Sequence, residues 1–178
     1  MMKKALKGEL DLMGPAMRIQ EELMEIPDFG DEGDGSPLYE EKKAVRQSKK
    51  AILMAAGAAA QKYMMELEKQ QEILMNLADM VIDVFTAESA ILRTEKMINL
   101  NGEASAELQI LMSKTYLSDA LERVHMSGKH AICGFAEGDE LRMMLIGVKR
   151  FTKYEPFNTI AARQAVADKM IEANKYPY

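Results

Sequence analysis

The sequence has no tryptophan, one cysteine and two histidines among its 178 residues. The single cysteine, Cys133, excludes an internal disulfide framework and fits a reducing compartment. The N-terminal MMKKALKGEL carries lysines but lacks the apolar segment of a signal peptide. These absences together predict a cytoplasmic protein.

Long hydrophobic runs and basic clusters are also missing. The stretch AILMAAGAAA, residues 51–60, is about half the length that spans a bilayer. It has no aromatic residue, and its small side chains offer little area for insertion into a membrane surface. The net charge of −5, without a lysine or arginine cluster, argues against a nucleic-acid surface.

What the sequence does contain is typical of helices. Hydrophobic residues make up 48% of the chain, 16 residues are methionine, and no sustained alternation of β-branched residues indicates a strand. We therefore predict an all-α fold, an antiparallel helical bundle of the four-helix-bundle type with about five to six helices. The predicted helices cover about residues 3–26 with a break at Gly14-Pro15, 37–67, 69–100, 104 to about 134, 139–152 and 159–173.

Local signals predict several helix ends and faces. Ser36-Pro37 resembles an N-cap followed by a first-turn proline, Asn101-Gly102 a C-terminal stop, and Asn158 or Thr159 a further N-cap. Ala51, Ala55 and Ala59 follow one another at steps of four, which lets a second backbone approach closely. We expect this face to pack mainly on the long helix that follows. Single apolar faces are predicted for three further helices: Leu77, Val84, Ile91 and Ile98; Ile110, Leu117, Leu121 and Val124; Ile160, Ala167 and Ile171.

Candidate metal ligands are few. Glu122 and His125 have the Glu-x-x-His spacing of di-iron bundles, but such a site needs a second motif and two further glutamates. His125, His130 and Cys133 are close in sequence, yet steps of five and three do not point three side chains one way. We expect a solvated Glu/His pair, surface histidines and a small buried cysteine, and a metal-binding bundle enzyme is disfavoured.

No catalytic residue, cofactor-binding residue or metal ligand is predicted in this chain. The acidic pairs Glu21-Glu22 and Glu40-Glu41 lie on helix faces predicted to be exposed, and adjacent helical residues point about 100° apart. The stretch PDFGDEGDGSP, residues 27–37, has three glycines and four acids, which is typical of a solvated linker.

Several segments in order resemble acyl-CoA dehydrogenases. MKKALKGELDL, ELMEIP and KKAILMAAGAAAQKY are similar to the region after the catalytic core, specifically the extra C-terminal domain of the very-long-chain type. QEILMNLADMVIDVFTAESAILRTEKM resembles the long helix of that domain, and the sequence from GDELRMMLIGVKRF to the end resembles its closing helices.

The resemblance implies a domain organisation. Residues 1–27 would be terminal helices of the catalytic region, 28–37 an acidic Gly/Pro linker, and 38–178 the appended C-terminal helical bundle. The family's catalytic glutamate lies in a Glu-Gly-Thr-Asn/Ser-Asp/Glu motif. Two places to look are Glu32-Gly33-Asp34-Gly35 and Glu137-Gly138-Asp139-Glu140, and neither has the threonine. The resemblance therefore places no functional residue of the family in this chain.

The function implied is that of a non-catalytic helical portion of a flavin-dependent acyl-CoA dehydrogenase of fatty-acid β-oxidation. The parent enzyme would use FAD, whereas this chain would bind none and be inactive alone. Its partners would be the catalytic core of the same polypeptide and further copies in a dimer or other homo-oligomer. Membrane attachment is disfavoured because an acidic linker is repelled by anionic lipid. The alternative is a free-standing helical scaffold or protein-interaction bundle.

Overall fold

The computed structural model describes residues 13–24, 33 and 35–175. Every regular element in these residues is helical, which confirms the all-α prediction. The α-helices are α1 (Met13–Met24), α2 (Tyr39–Tyr63), α3 (Gln71–Asn101), α4 (Glu107–Cys133), α5 (Gly138–Phe151) and α6 (Thr159–Ala173). Short 3-10 turns follow α2 and α3, at Met64–Lys69 and Glu103–Ser105.

Ion pairs show that α2 and α3 run antiparallel. Lys42 contacts Glu95 at 2.7 Å, and one heptad further along α2, Lys49 contacts Glu88 at 2.6 Å. As the residue number rises on one helix it falls by the same amount on the other, so the two helices form the predicted hairpin.

The same relation holds between α3 and α4. Arg123 grips Asp83 with two nitrogens, at 2.7 to 3.1 Å, and the hydroxyls of Thr94 and Ser113 are 2.7 Å apart. α5 in turn packs on α2 and α4, which completes a bundle of four alternating helices, α2 to α5.

The small face of α2 lies at the centre of this bundle. Ala51, Ala55 and Ala59 have no exposed surface, and α2 packs against α1, α3, α4 and α5. The expectation that this face packs mainly on α3 stays a prediction, since α2 as a whole packs on three further helices as well. On the α5 side, a Cβ built on Gly147 would lie only 2.8 Å from Met54 Sδ, so the missing side chain admits the methionine.

Helix α1 packs against the bundle from outside. Ala16 and Ile19 are buried, and Leu23 packs against the core, as their predicted shared face requires. Glu22 bonds to Lys50 at 2.5 Å, and its carbonyl accepts from Arg150 at 3.3 Å. The predicted helix over residues 3–12 and Ile26 lie outside the described residues.

The ends of α3 and α6 follow the predicted signals. Gly102 has a φ of +82°, which suits glycine, and its N–H donates to the Ile98 carbonyl at 2.8 Å. Asn158 caps α6, since its Oδ1 accepts from the Ala161 N–H at 3.0 Å.

The limits of α2 differ from the prediction. The helix begins at Tyr39, because Pro37 and Leu38 form a turn in which the Tyr39 N–H donates to the Ser36 carbonyl at 3.1 Å. The turn buries Leu38, so the N-cap position carries an apolar side chain and not Ser36. The α-helix ends at Tyr63 and not near residue 67, because Met64 has a φ of +45° and starts a 3-10 turn.

The predicted apolar face of α6 points to solvent. Ile160 and Ile171 are 68% and 77% exposed, and only Ala162 of this helix is buried. An ion pair between Arg163 and Asp119, at 2.6 Å, links α6 to α4.

No helix in residues 13–24 or 35–175 is long and apolar enough to cross a bilayer.

The fold predicts the effect of enlarging the centre of α2. Ala55→Leu adds three carbons where Ala55 is fully buried, so we expect a loss of about 1–3 kcal/mol of unfolding free energy. Thermal unfolding followed by circular dichroism should show a midpoint lower by several degrees. Ala167→Leu, at an exposed position of α6, is the matched control and should change little. Unchanged thermal stability and oligomer size in Ala55→Leu would contradict the close-packing interpretation.

Candidate functional site

The Glu-x-x-His pair on α4 does not form a metal site. Glu122 is exposed, whereas His125 is half-buried with Nδ1 3.0 Å from Thr152 Oγ1. Since the Thr152 hydroxyl donates to the Val148 carbonyl at 2.8 Å, its oxygen is left to accept from the imidazole Nδ1–H. His125 thus links α4 to the residue that follows α5. Of the Glu/His pair that was expected to be solvated, only Glu122 is exposed.

The other candidate ligands are separated. His130 is exposed, and Cys133 is exposed as well, because it is the last residue of α4; the prediction of a buried cysteine was wrong. Among the described residues, no three His, Cys, Asp or Glu side chains are close enough to hold a metal ion.

The two glycine-acid stretches also fail to build a site. Residues 137–140 start α5 and are all exposed. Of the earlier stretch, Gly33 and Gly35 are exposed, whereas Glu32 and Asp34 lie outside the described residues. Glu21 and Glu40 are exposed, as predicted.

Glu41 departs from its predicted exposure. Its side chain, in the first turn of α2, is buried at 3% exposure. The Tyr154 hydroxyl donates to Glu41 Oε1 at 2.6 Å, and Lys114 Nζ lies 3.4 Å from the same oxygen. Burial and the hydrogen bond to the carboxylate raise the pKa of Tyr154 well above 10.0. This buried polar cluster joins α2, α4 and the segment after α5.

A surface cleft lies between the start of α4 and α6, with a volume of about 710 Å³. Three carboxylates line it, from Glu107, Asp168 and Glu172, and the one lysine, Lys169, is bound to Glu172 at 2.7 Å. Such a lining repels anionic ligands, so this cleft does not suit a phosphate-bearing cofactor or substrate.

The clearest apolar surface is on the outer side of α3. We call it the outer stripe; it comprises Met75, Ala78, Ile82, Phe85, Ser89 and Leu92, all exposed. The four large side chains are 52% to 69% exposed. Large apolar side chains exposed in a row on one side of a helix are typical of a site of interaction. It is the candidate functional site of the described residues, and its function would be docking.

Comparison with known proteins bears on this interpretation. A family model described as "Acyl-CoA dehydrogenase, C-terminal domain" matches residues 47–150, which include most of α2, all of α3 and α4, and nearly all of α5. The chain belongs to this family.

Two relatives extend the likeness to almost the whole chain. A protein of Bacillus subtilis (strain 168) described as a probable acyl-CoA dehydrogenase is 41% identical over 175 residues, 98% of this chain. A crystal structure of an acyl-CoA dehydrogenase complexed with FAD from Bacillus anthracis is 38% identical and superimposes on 99% of this chain with a TM-score of 0.90. This family member spans only 29% and 30% of the lengths of these two relatives.

Sequence reasoning missed the buried polar cluster and the outer stripe. The cluster has no local signal, since Glu41 and Tyr154 are 113 residues apart. The outer stripe, in contrast, did have a local signal in the sequence. Its residues step by three and four along α3, alternately two positions and one position after the members of the buried row that begins at Ile73.

The polar cluster predicts the effect of removing the Tyr154 hydroxyl. Tyr154→Phe deprives the buried Glu41 carboxylate of a donor, so we expect a loss of about 1–3 kcal/mol of unfolding free energy. Denaturant unfolding at neutral pH measures this. Tyr116→Phe is the control, because the ring of Tyr116, 5.7 Å from the Arg123 guanidinium, makes that contact without its hydroxyl. Equal stabilities of the two variants would contradict the role of the cluster.

The same cluster predicts a pH dependence. Because the folded pKa of Tyr154 is raised, the unfolded chain loses the phenol proton first. The stabilisation is therefore complete below pH 10.0 and declines as the pH rises from there towards the folded pKa. We expect the stability of the unaltered protein to fall more steeply above this pH than that of Tyr154→Phe. Parallel pH profiles of the two proteins would refute the assignment.

Proposed function

We propose that this chain acts as the non-catalytic helical portion of a flavin-dependent acyl-CoA dehydrogenase, with a role in packing and assembly. The observation that carries the proposal is the near-complete match of the chain to less than a third of each relative. The remaining length of those relatives is where we place the chemistry. In this proposal the reaction is the α,β-dehydrogenation of an acyl-CoA thioester, with FAD as the electron acceptor.

The packing of the bundle supports a structural role. Binding sites in helical bundles lie between facing helices, in a space that must be left open. Here large side chains from four helices fill that space and are at most 2% exposed: Met54, Met80, Val124, Met144 and Val148. The bundle therefore offers partners its surface and not its interior.

Helix α1 suggests how the two parts join. In the proposed organisation, residues 1–27 complete the catalytic region, 28–37 form the linker and 38–178 form the appended bundle. Glu22 and Leu23 of α1 contact α2 and α5 of the bundle. We propose that α1 holds the catalytic part against the bundle and that the linker joins the two parts along the chain.

Finer assignments follow the same resemblance. We propose that the parent enzyme is of the very-long-chain type, on the order of its segments, and that it forms a homo-oligomer. Four acids and no base in residues 27–37 disfavour attachment to anionic lipid. The single cysteine favours the cytoplasm.

Flavin content tests the proposal directly. The chain alone should be colourless and inactive with an acyl-CoA and an electron acceptor. The product of the same gene extended upstream through its open reading frame should be yellow and active. Absorbance near the flavin band and dye reduction measure the two properties. Stoichiometric flavin on the chain alone would place the cofactor in this bundle and overturn the proposal.

The alternative, a free-standing scaffold or interaction bundle, makes a different genetic prediction. A stop codon and a ribosome-binding site just before the codon for Met1 would favour it. A reading frame that continues upstream into an acyl-CoA dehydrogenase core would exclude it.

A further inference from the structure

We propose that α1 is a releasable latch, which leaves its seat on α2 and α5 as one unit while the bundle of α2 to α5 stays folded. The seat comprises Lys50 and Met54 of α2 and Gly147 and Arg150 of α5. In the proposed organisation α1 belongs to the catalytic region, so the latch is the joint between the two parts of the enzyme. That consequence rests on the proposed function, whereas the release of α1 concerns the described residues alone.

The bundle is closed without α1. Helices α2 to α5 pack on one another in alternating directions. The core between them contains large side chains of α3 and α4 that are at most 1% exposed: Met80, Ile91, Leu117, Val124 and Ile132. Helix α1 lies on α2 and α5, so its departure uncovers the seat and not this core.

The apolar attachment of α1 is small. Among its described side chains, Ala16 and Ile19 are buried and Leu23 is half-buried, whereas α3 buries seven residues. Local opening costs the least free energy where few apolar contacts are buried. Helix α1 should therefore open at a lower free energy than the bundle.

Helix α1 depends on its seat for its own structure. It has 12 residues, and a helix of this length is marginal in water without tertiary packing. Arg150 donates to the Glu22 carbonyl at 3.3 Å. This carbonyl is one of the last four of α1, which have no partner within the helix. Release of α1 and loss of its helix are therefore coupled, so the amide protons of α1 report whether it is docked.

Gly147 makes room for the latch. A Cβ built there would lie 2.8 Å from Met54 Sδ and 2.9 Å from Leu23 Cδ1, so both side chains share the space that the glycine leaves. Glycine within a helix is unfavourable relative to alanine, and this close approach accounts for it here. The Met54 side chain is flexible and can spread into the space that Leu23 vacates. The seat thus closes behind the released latch without a cavity.

The polar contacts of the latch also permit release. Glu22 Oε1 is 2.5 Å from Lys50 Nζ, and the two side chains are 33% and 31% exposed. Because both side chains already meet water, parting them leaves no buried charge unpaired. The Phe151 ring centre lies 5.9 Å from Lys50 Nζ and 5.9 Å from Arg150 Cζ, so it holds both cations of the seat. The seat is therefore preorganised to take the latch back.

Hydrogen exchange of the whole chain tests the release of α1. Amides of α1 should be protected, yet exchange at least about tenfold faster than the slowest amides of α3, because they open without global unfolding. Leu23→Ala should speed exchange across α1 by a further factor of about ten and change that of α3 by less than about twofold. Met17→Ala is the matched control, because Met17 lies on the same helix and is 60% exposed.

Two results of this experiment overturn the proposal. Exchange of α1 as slow as that of α3, or equal acceleration of both by Leu23→Ala, would show that α1 opens only with the bundle. Exchange of α1 at the rate of an unstructured chain would show that the seat holds nothing.

The ion pair gives a second test. Glu22→Gln should speed exchange of α1 about threefold, since a half-exposed ion pair is lost. Glu21→Gln is the control, because Glu21 is the exposed neighbour on the same helix. Glu22→Gln combined with Lys50→Gln should have no larger effect than Glu22→Gln alone, because the two residues act through one contact. Equal effects of Glu22→Gln and Glu21→Gln would contradict the part of this pair in the latch.

The protein extended upstream separates this proposal from the proposed function. If the extended protein is yellow and active but α1 of the chain does not open ahead of the bundle, the latch alone is refuted. If α1 opens as described but the extended protein carries no flavin, the proposed function alone is refuted.

Discussion

Close packing along the small-residue face of α2 is the constraint on which the rest of the fold depends. The axes of packed helices are ordinarily 8–10 Å apart. A helix with neighbours on several sides needs small side chains if all of these neighbours are to lie at that distance. Ala51, Ala55 and Ala59 meet this need and are wholly buried. As a result α2 contacts four other helices, and α1 and α5 reach it across Met54 and Gly147. Without this face, the other helices could not all pack on α2.

Apolar packing is non-directional, so polar contacts set the register of the helices. The Glu41–Tyr154 bond fixes the start of α2 against the segment after α5, and the Thr94–Ser113 contact fixes α3 against α4. These contacts are buried or half-buried, where a missing partner costs the most. The role of these contacts is structural. This role explains why the Glu41 carboxylate is buried although the described residues show no evident catalytic group.

The architecture accounts for the kind of function a domain of this family can have. Its interior is filled, the cleft between α4 and α6 is lined by acids, and its longest helix carries apolar residues on the side away from the core. The acids that line this cleft repel anionic ligands. The outer stripe of α3 lies on the side of the helix away from the core, so packing within the domain leaves it exposed.

Helical periodicity and capping are local, so they predicted the fold class, about five to six helices, most of the helix limits and the inner row of α3. The sequence also carried the family resemblance. It could not determine which apolar faces are covered: Ile91 is buried, whereas Ile160 and Ile171 of α6 are exposed. Periodicity shows which residues share a face, but a face is buried only when another helix lies on it. The burial of Glu41, next to exposed Glu40, was decided by Tyr154, and Cys133 was exposed by the end of its helix. Such outcomes depend on residues far apart in the chain, and only the tertiary structure brings them together.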